Sequence, residues 1–581
     1  MSDRIGTKGE GDMMRRALPV LVAMILMIAI AGGTIGVWLH DKYSYGTEVM
    51  DLKQYFGVEE GTLAIYLQEE RVSQTAIQKN GTCYLDLKFV KDNLNDTFYY
   101  DAGQQKLLYT DAAGTIQAAV GEAGYSVYGE EKSFGSEICF MQGDQLYVAL
   151  PYAAMFSDCE YEIFDYRIQI RTKWSSYDAA QITKDTKVRY RGGIKSEILC
   201  DVSAGTMVQI LERMETWCKV KTNDCIVGYV ENKLLGVEET VKPEKKKTSS
   251  EYTAPEYTTK RLGEKLCLGW HAIGGVGGNV TLDEMAAGKS GLNVIAPTWF
   301  SLNDNEGGFR NFGEASYVTK AHGYGLEVWG VWDDFNYENE TGDNIDDTRI
   351  LSDAVSRERL INGIVDTAVQ IGLDGVNLDF EKVGSDCREY YGQFLRELSV
   401  ECRKRNMSFS VDDYMPNEGN KQYRLDVQGM VADYVILMGY DEHWHGSSDP
   451  GSVASLGFVS DGIEKALKYV PSDKLVNALP LYTIFWKIDG AAVADEYLTM
   501  VNQADFLSKI SAVPAWDDRT GQNYVEWTNG SKTYKVWLED LESIGVKLNV
   551  MSAHELAGVA VWRLGYDVPG LWPLLSAFKQ M

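Results

Sequence analysis

The C-terminal half of the chain alternates short apolar runs with longer amphipathic stretches, and this alternation constrains the fold most. Stretches such as Arg359–Ile371 and Arg388–Arg403 have helical periodicity. Between such stretches lie eight runs with the length and composition of buried strands: Leu266–Trp270, Leu292–Ala296, Leu326–Val331, Gly375–Phe380, Met407–Val411, Tyr434–Met438, Leu475–Leu479 and Val559–Trp562. Apolar strands alternating with helices are typical of parallel sheets covered on both faces. Eight of them predict an α/β fold, a (β/α)8 TIM barrel over residues 263–581.

The length of this region predicts an addition to the barrel. A plain barrel of this kind needs about 250 residues, and residues 263–581 exceed that length. The excess lies between the seventh and eighth runs, at about 487–555. Short runs at Tyr524–Trp527 and Thr533–Trp537 have the alternation of strands. We therefore expect an α+β insertion between strands 7 and 8 that lines one side of a cleft.

The fourth run carries acidic residues that an apolar strand does not normally accumulate. It reads Leu373-Asp-Gly-Val-Asn-Leu-Asp-Phe-Glu381, so Asn377, Asp379 and Glu381 are two positions apart. On a strand these side chains point to the same side, and Glu381 lies at the carboxyl end, where barrels place catalytic groups. Two neighbouring carboxyl groups separate their pKa values, which suits a general acid near neutral pH. The alternative is a structural ion pair with a basic residue of the barrel.

This motif resembles a known active-site signature. Asp374-Gly375-x-x-x-Asp379-x-Glu381 is similar to that of family-18 glycoside hydrolases, which include chitinases and related N-acetylglucosaminidases. Met438-Gly-Tyr440-Asp441 and Trp562 resemble further motifs of the family and occur in the same order. Three further segments resemble the branch of this family that contains spore-germination and cortex-lytic enzymes: Ala321-His-Gly-Tyr-Gly-Leu-Glu-Val-Trp329, Leu479-Pro-Leu-Tyr482 and Val536-Trp-Leu-Glu-Asp540. The resemblance covers essentially all of residues 263–581.

The resemblance implies a retaining reaction in which the substrate supplies the nucleophile, the carbonyl oxygen of its own 2-acetamido group. Glu381 would protonate the departing glycosidic oxygen and then deprotonate water. Asp379 would hold the acetamide N–H, and Tyr440 would hydrogen-bond the acetamide carbonyl. Trp562 would form the floor of the subsite at the cleavage point, and Asp441 would line the same subsite.

Asn377 is a departure from many chitinases, which have Asp at this position. A neutral amide can orient Asp379 but cannot share its proton. Asn also resembles the spore-enzyme branch, so the resemblance does not imply loss of activity.

Three tryptophans near the carboxyl ends of strands, Trp299, Trp332 and Trp486, are further candidates for substrate binding. Each would either stack on a sugar ring or pack in the core. His443-Trp-His445 has no third ligand at a zinc spacing. We therefore expect no metal site and no cofactor.

The N-terminus predicts export. No charged residue occurs from Ala17 to Leu39, and Arg15 and Arg16 precede this run. We interpret residues 1–16 as a cytoplasmic tail and 17–39 as a transmembrane anchor, with the remainder outside the cell. The alternative is a cleaved signal peptide, whose apolar region usually has only about 7–15 residues.

Two exported pieces precede the barrel. Within residues 41–174, Tyr84-Leu-Asp-Leu-Lys-Phe89 and Tyr147-Val-Ala-Leu-Pro-Tyr152 begin two similar units, each a strand, a short helix and further strands. This duplicated α+β stalk loosely resembles copper amine oxidase N-terminal-like modules of wall proteins. Residues 175–237, with Trp217-Cys-Lys-Val220 and Gly228-Tyr-Val230, resemble a bacterial SH3 domain, a small β-barrel. Residues 238–262 have the composition of a linker.

Charge and cysteine content limit the partners. With 56 Lys and Arg against 84 Asp and Glu, the net charge of −28 would repel phosphate backbones, so we expect no nucleic-acid partner. Nine cysteines without a Cys-x-x-Cys pair indicate no metal pattern. They are interpreted as reduced and buried, with one bridge among Cys200, Cys218 and Cys225 as the alternative.

Together these features predict a membrane-anchored glycoside hydrolase on the cell-wall side of the membrane. It would cleave β-1,4 bonds next to N-acetylglucosamine, with peptidoglycan favoured over chitin as the polysaccharide partner. The lipid bilayer is contacted through residues 17–39, and no obligate protein partner is evident. The alternative function is a non-hydrolytic protein that binds cell-wall glycan in the same cleft.

Overall fold

The computed structural model describes residues 10–245, 256–335 and 344–580. It begins with helix α1 (Glu10–Tyr43), in which Leu18–Tyr43 is long and apolar enough to cross a membrane. Those properties belong to membrane anchors and to signal sequences alike. Parts of the predicted tail 1–16 and of the linker 238–262 lie outside the described residues.

The region after α1 contains the stalk and the SH3 module. The stalk elements are α2 (Leu52–Phe56), β1 (Thr62–Leu67), β2 (Glu70–Lys79), β3 (Thr82–Asp86), α3 (Leu87–Asn93), β4 (Phe98–Asp101), β5 (Lys106–Thr110), β6 (Thr115–Ala119), β7 (Gly124–Val127), β8 (Glu130–Ser133), β9 (Cys139–Gln142), β10 (Gln145–Ala149), α4 (Leu150–Ala154), β11 (Glu160–Phe164) and β12 (Arg167–Arg171). The SH3 module has β13 (Tyr177–Ile182), β14 (Thr186–Arg189), β15 (Ile198–Val202), β16 (Met207–Arg213), β17 (Trp217–Lys221), β18 (Val227–Glu231) and β19 (Leu235–Val241).

The two similar sequence stretches lie in two strand–helix–hairpin units, β3-α3-β4-β5 and β10-α4-β11-β12. Their first strands pair antiparallel, with the equivalent residues Leu85 and Val148 opposite each other. The two hairpins belong to different sheets. Strands β11 and β12 lie in a seven-stranded sheet of order β11-β12-β1-β2-β3-β10-β9, whereas β4 and β5 begin a five-stranded meander, β4 to β8.

The chain forms two compact units that divide the predicted stalk 41–174. The first contains the described residues up to Asp96 and those from Phe140 to Lys245. In this unit one apolar core joins the stalk to the SH3 module, with Phe56 and Tyr66 from the stalk and Val188 and Val220 from the module. The second unit contains Thr97–Cys139 and the barrel.

The predicted (β/α)8 barrel is confirmed. Its parallel strands are β20 (Leu266–His271), β21 (Val294–Pro297), β24 (Glu327–Asp333), β25 (Gly375–Asp379), β26 (Ser408–Tyr414), β27 (Tyr434–Met438), β28 (Leu475–Pro480) and β34 (Gly558–Trp562). Each strand pairs with the next, and β34 pairs with β20 to close the barrel. A hairpin, β22 (Phe300–Leu302) and β23 (Phe309–Asn311), extends the sheet beside β24.

Helices surround this barrel, and an insertion follows the seventh strand. The helices are α5 (Leu282–Ala286), α6 (Ala315–Gly323), α7 (Asp347–Ser352), α8 (Ala354–Ile371), α9 (Arg388–Lys404), α10 (Leu425–Val431), α11 (Leu456–Ala466), α12 (Met500–Ser508), α13 (Leu541–Ala553) and α14 (Leu571–Lys579). The insertion is a five-stranded sheet of β29 (Tyr482–Asp489), β30 (Ala492–Thr499), β31 (Ala515–Asp517), β32 (Gln522–Asn529) and β33 (Lys532–Leu538). It thus begins before residue 487.

The β4–β8 sheet contacts two barrel helices through buried polar groups. The Arg357 guanidinium of α8 lies 3.1 Å from the Asp101 carboxylate of β4 and 2.9 Å from Glu397 of α9. The Gln393 amide of α9 donates to the Thr110 hydroxyl of β5 at 2.9 Å. Since the Arg357 and Asp101 side chains are 3% and 0% exposed, this ion pair is buried.

All nine cysteines lie within the described residues and are unpaired. Eight are buried, and Cys200 is half-buried. Burial raises the pKa of the Cys83 thiol to about 12, so this thiol stays protonated.

Candidate active site

A cavity of about 560 Å³ opens at the carboxyl ends of the barrel strands. Five acidic side chains line it: Asp333, Asp379, Glu381, Asp412 and Asp441. They come from the ends of β24, β25, β26 and β27, or from the residues directly after them. The barrel therefore gathers at one mouth carboxyl groups that are far apart in the sequence.

Glu381 is held at the cavity through both its backbone and its side chain. Its N–H and that of Lys382 donate to the two oxygens of Asp334 at 2.8 and 2.7 Å. The Tyr414 hydroxyl donates to the Glu381 carboxylate. Burial raises the pKa of Glu381, and the charges of Asp334 and other acidic neighbours raise it further, against the Tyr414 hydrogen bond. A raised pKa favours the protonated form that a general acid needs.

Asp379 and Asp412 form a second, deeper acidic pair. Burial is the largest cause that raises the pKa of Asp379, and the charge of Asp412 is the next. The same burial raises the pKa of Asp412. Since two buried carboxyl groups at close quarters do not both ionise readily, the pair retains a proton.

Asn377 lies beneath this pair and does not line the cavity. It is fully buried, accepts from the Trp270 indole N–H at 3.0 Å, and donates to Ser410 Oγ and Asp412 Oδ1 at 2.9 and 2.8 Å. The carboxylate to which the Asn377 amide donates is that of Asp412, so this amide orients Asp412 directly.

Tyr440, Asp441 and Trp562 line the cavity. Burial raises the pKa of Tyr440 well above its ordinary value, so its hydroxyl stays a donor. The Tyr482 hydroxyl donates to Asp441, and burial raises the pKa of the Asp441 carboxyl. The Trp562 ring packs edge-on against Trp270, with ring centroids 6.0 Å apart.

Trp299, Trp332 and Trp486 are fully buried and are not among the residues that line the cavity, which favours packing in the core over stacking on a sugar ring. Trp299 donates to Asn279 at 2.8 Å, and Trp486 donates to the Gly451 carbonyl at 2.8 Å. Trp332 stacks on Phe300 in the core outside the barrel, whereas its neighbour Val331 belongs to the core inside it. Strand alternation therefore turns Trp332 away from the mouth.

The residues that sequence reasoning missed are Asp412, Tyr414, Asp334, Trp270 and Arg563. Asp412 and Tyr414 end the fifth strand, where Asp412-Asp413 follows an apolar run. That acidic pair was a usable signal, the same one that identified Asp379. Among the described residues, no group of three or more His, Cys, Asp or Glu side chains is placed to hold a metal ion.

A parallel barrel with buried, proton-retaining carboxyl groups around a cleft at its carboxyl ends defines the class as a TIM-barrel enzyme of acid–base chemistry. Residues 343–567 match the family described as glycosyl hydrolases family 18, and residues 184–236 match the bacterial SH3 domain. The barrel thus contains a region that matches family-18 glycoside hydrolases, and the SH3 module is confirmed.

Several relatives share this region. The cortical fragment-lytic enzyme of Bacillus subtilis (strain 168) is 29% identical over 250 residues, which are 42% of this chain and 58% of that protein. An uncharacterized glycosylase, YvbX, of the same organism is 24% identical over 291 residues, or 48% of this chain and 83% of that protein. The chain thus spans little more than half the length of the cortical fragment-lytic enzyme.

Solved structures are also similar. The Bacillus cereus spore cortex-lytic enzyme SleL is 21% identical, with a TM-score of 0.48 over 55% of this chain and 75% of that chain. The C-terminal domain of a putative chitinase from Desulfitobacterium hafniense DCB-2 is 20% identical, with a TM-score of 0.49 over 55% of this chain and 100% of that chain.

Proposed function

We propose that the chain is a membrane-anchored glycosidase that cleaves β-1,4 bonds next to N-acetylglucosamine in peptidoglycan. The observation that carries this proposal is Glu381, a carboxyl with a raised pKa at the mouth of a family-18 barrel. The apolar segment Leu18–Tyr43 and the SH3 domain support an anchored position on the wall side. The similarity to the cortical fragment-lytic enzyme of Bacillus subtilis supports a glycan of the spore cortex or cell wall as substrate.

The reaction is retaining and assisted by the substrate. The acetamido carbonyl oxygen attacks C1 while Glu381 gives its proton to the departing glycosidic oxygen, so the C1–O bond breaks as the oxazolinium ring closes. Glu381, now ionised, takes a proton from water, and the resulting hydroxide equivalent opens the ring with net retention.

The surrounding groups position the acetamide for this attack. Asp379 accepts from the acetamide N–H and offsets the positive charge of the ring, and the Tyr440 hydroxyl donates to the acetamide carbonyl. Trp562 stacks beneath the sugar and Asp441 contacts it from the side. The neighbouring carboxyl group of Asp412 carries the proton that the pair retains while Asp379 is ionised.

The Glu381→Gln substitution tests this proposal. Its amide cannot give a proton to the leaving oxygen, so kcat on purified peptidoglycan should fall about 10²- to 10⁴-fold. Glu464→Gln, the same change on the exposed face of α11, is the matched control and should hydrolyse at the wild-type rate. Products are identified by mass spectrometry. Equal rates for wild type and Glu381→Gln, or binding of glycan without turnover by the wild type, would favour the non-hydrolytic alternative.

A further inference from the structure

The cavity is acidic, yet two guanidinium groups are part of its lining. Besides the five acidic side chains, Arg310 and Arg563 are the basic residues found among the described lining residues. Both are partly buried. Placing a cation in a cleft costs desolvation, so each of the two requires a compensating partner.

Arg310 has such a partner within the protein. It donates to the Ser301 hydroxyl at 3.0 Å; burial lowers the pKa of its guanidinium, and the neighbouring Asp333 charge opposes that shift. Asp333 is itself buried and accepts from the same Ser301 hydroxyl at 2.9 Å. The Arg310 charge is therefore offset by a carboxylate of the chain.

Arg563 has neutral partners. Its guanidinium lies over the Tyr566 ring, 4.3 Å from the centroid, and donates to the Tyr566 hydroxyl at 2.7 Å. Nearby His271 has its pKa lowered to about 4 by burial and by the Arg563 charge, so its ring is neutral at physiological pH. Within the described parts of the chain, no acidic side chain forms an ion pair with Arg563. Its remaining N–H donors and its charge are available to a ligand.

The charge of Arg563 lies beside the predicted sugar site. Arg563 directly follows Trp562, and both residues line the cavity. A guanidinium presents parallel N–H donors that match a carboxylate. A chain with a net charge of −28 repels a polyanionic glycan at long range. A local cation at the cleavage point offsets that repulsion for a substrate that carries a carboxylate there.

We propose that Arg563 binds a carboxylate of the substrate within one sugar of the scissile bond, and so selects acidic amino-sugar polymers over neutral ones. This inference rests on the proposed hydrolase function and names its substrate class. In peptidoglycan two groups carry that chemistry, the lactyl ether of the muramic sugar when it bears no peptide, and the acidic residues of the stem peptide when it does. Chitin-like oligomers carry neither.

The test compares three glycans: a neutral N-acetylglucosamine oligomer, peptidoglycan strands freed of peptides, and strands with their peptides. For Arg563→Gln the ratio of kcat/KM on the acidic strands to that on the neutral oligomer should fall about 10- to 100-fold. Arg563→Lys should retain part of the preference. Arg310→Gln, an arginine of the same cavity, is the matched control, and its ratio should stay within about twofold of wild type. The acidic strand that shows the larger fall identifies the source of the carboxylate.

Equilibrium binding of the same glycans is measured in parallel, with thermal unfolding to verify that each variant is folded. Equal losses on acidic and neutral glycans for Arg563→Gln would overturn the inference, as would the same fall in ratio for Arg310→Gln. A wild type that hydrolyses none of the glycans refutes the proposed function. In that case the binding ratio still decides the role of Arg563.

Discussion

Glu381 is subject to opposing electrostatic influences that set its protonation. Burial and the charges of Asp334, Asp441 and Asp333 favour the protonated form, and the Tyr414 hydrogen bond favours the carboxylate. Tyr414 donates to the Glu381 side chain, whereas Tyr423 donates to the Glu381 backbone carbonyl at 2.6 Å. Substituting each tyrosine in turn therefore distinguishes an effect on the Glu381 carboxyl group from an effect on the loop that carries Glu381.

Tyr414→Phe should move the alkaline limb of the pH profile of kcat/KM to higher pH. Removing a donor to the carboxylate disfavours ionisation, so the pKa of Glu381 rises and the acid stays protonated over a wider range. A charge-assisted hydrogen bond of about 1.5–3 kcal/mol corresponds to a shift of about one to two pH units. The measurement is kcat/KM against pH on a soluble glycan. Tyr423→Phe is the control and should leave the limb in place, and a limb that moves to lower pH in Tyr414→Phe would contradict this account.

At the scale of elements, a buried ion pair joins the insertion to the helix that follows it. Glu539 follows β33, and Lys547 lies on α13. The Lys547 ammonium is 2.8 Å from both Glu539 oxygens, and both side chains are fully buried. Ser543 and Gln522 also donate to this carboxylate. Both oxygens of the Glu539 carboxylate therefore have hydrogen-bond donors.

Lys547→Met should destabilise the protein by about 3–5 kcal/mol, because it leaves the Glu539 carboxylate buried without its cation. The measurement is the free energy of unfolding in urea. Lys509→Met is the control, since Lys509 pairs with Asp505 on an exposed face and should cost less than about 0.5 kcal/mol. The double variant Lys547→Met/Glu539→Gln should regain part of the loss. A single variant as stable as the control would show that the pair contributes nothing.

The elements themselves show what sequence could predict. The barrel strands were predictable because strands buried on both faces are continuous apolar runs, and only their ends differ, as for Val294–Pro297 against Leu292–Ala296. The side of the barrel sheet on which the Trp332 side chain lies was not predictable, because β24 carries apolar residues toward both the core inside the barrel and the core outside it. The pairing of Asn377 with Asp412 was equally hidden, since it joins strands whose register no local pattern specifies.

At the scale of the whole molecule, domain membership does not follow chain order. The two repeated units are similar in sequence, yet β4 and β5 group with the barrel while β11 and β12 group with the SH3 module. The difference lies in residues that the repeat pattern does not show, such as Asp101, which meets Arg357 of α8. The family match at 343–567 therefore covers less of the chain than the unit that carries the active site.

Asp101→Asn should lower the thermal stability of the catalytic unit, although Asp101 is far from the barrel in sequence. The Arg357 guanidinium keeps Glu397 and the Leu351 carbonyl but loses its buried partner on β4, at a cost of about 1–3 kcal/mol. The measurement is the temperature at which glycan hydrolysis is lost, compared with Asp92→Asn, whose carboxylate pairs with Lys88 on an exposed helix face and should be neutral. If β4–β8 were an independent module, hydrolysis would survive to the same temperature in both variants. A loss of activity at lower temperature in Asp101→Asn alone would instead establish that the stalk sequence supplies part of the catalytic unit.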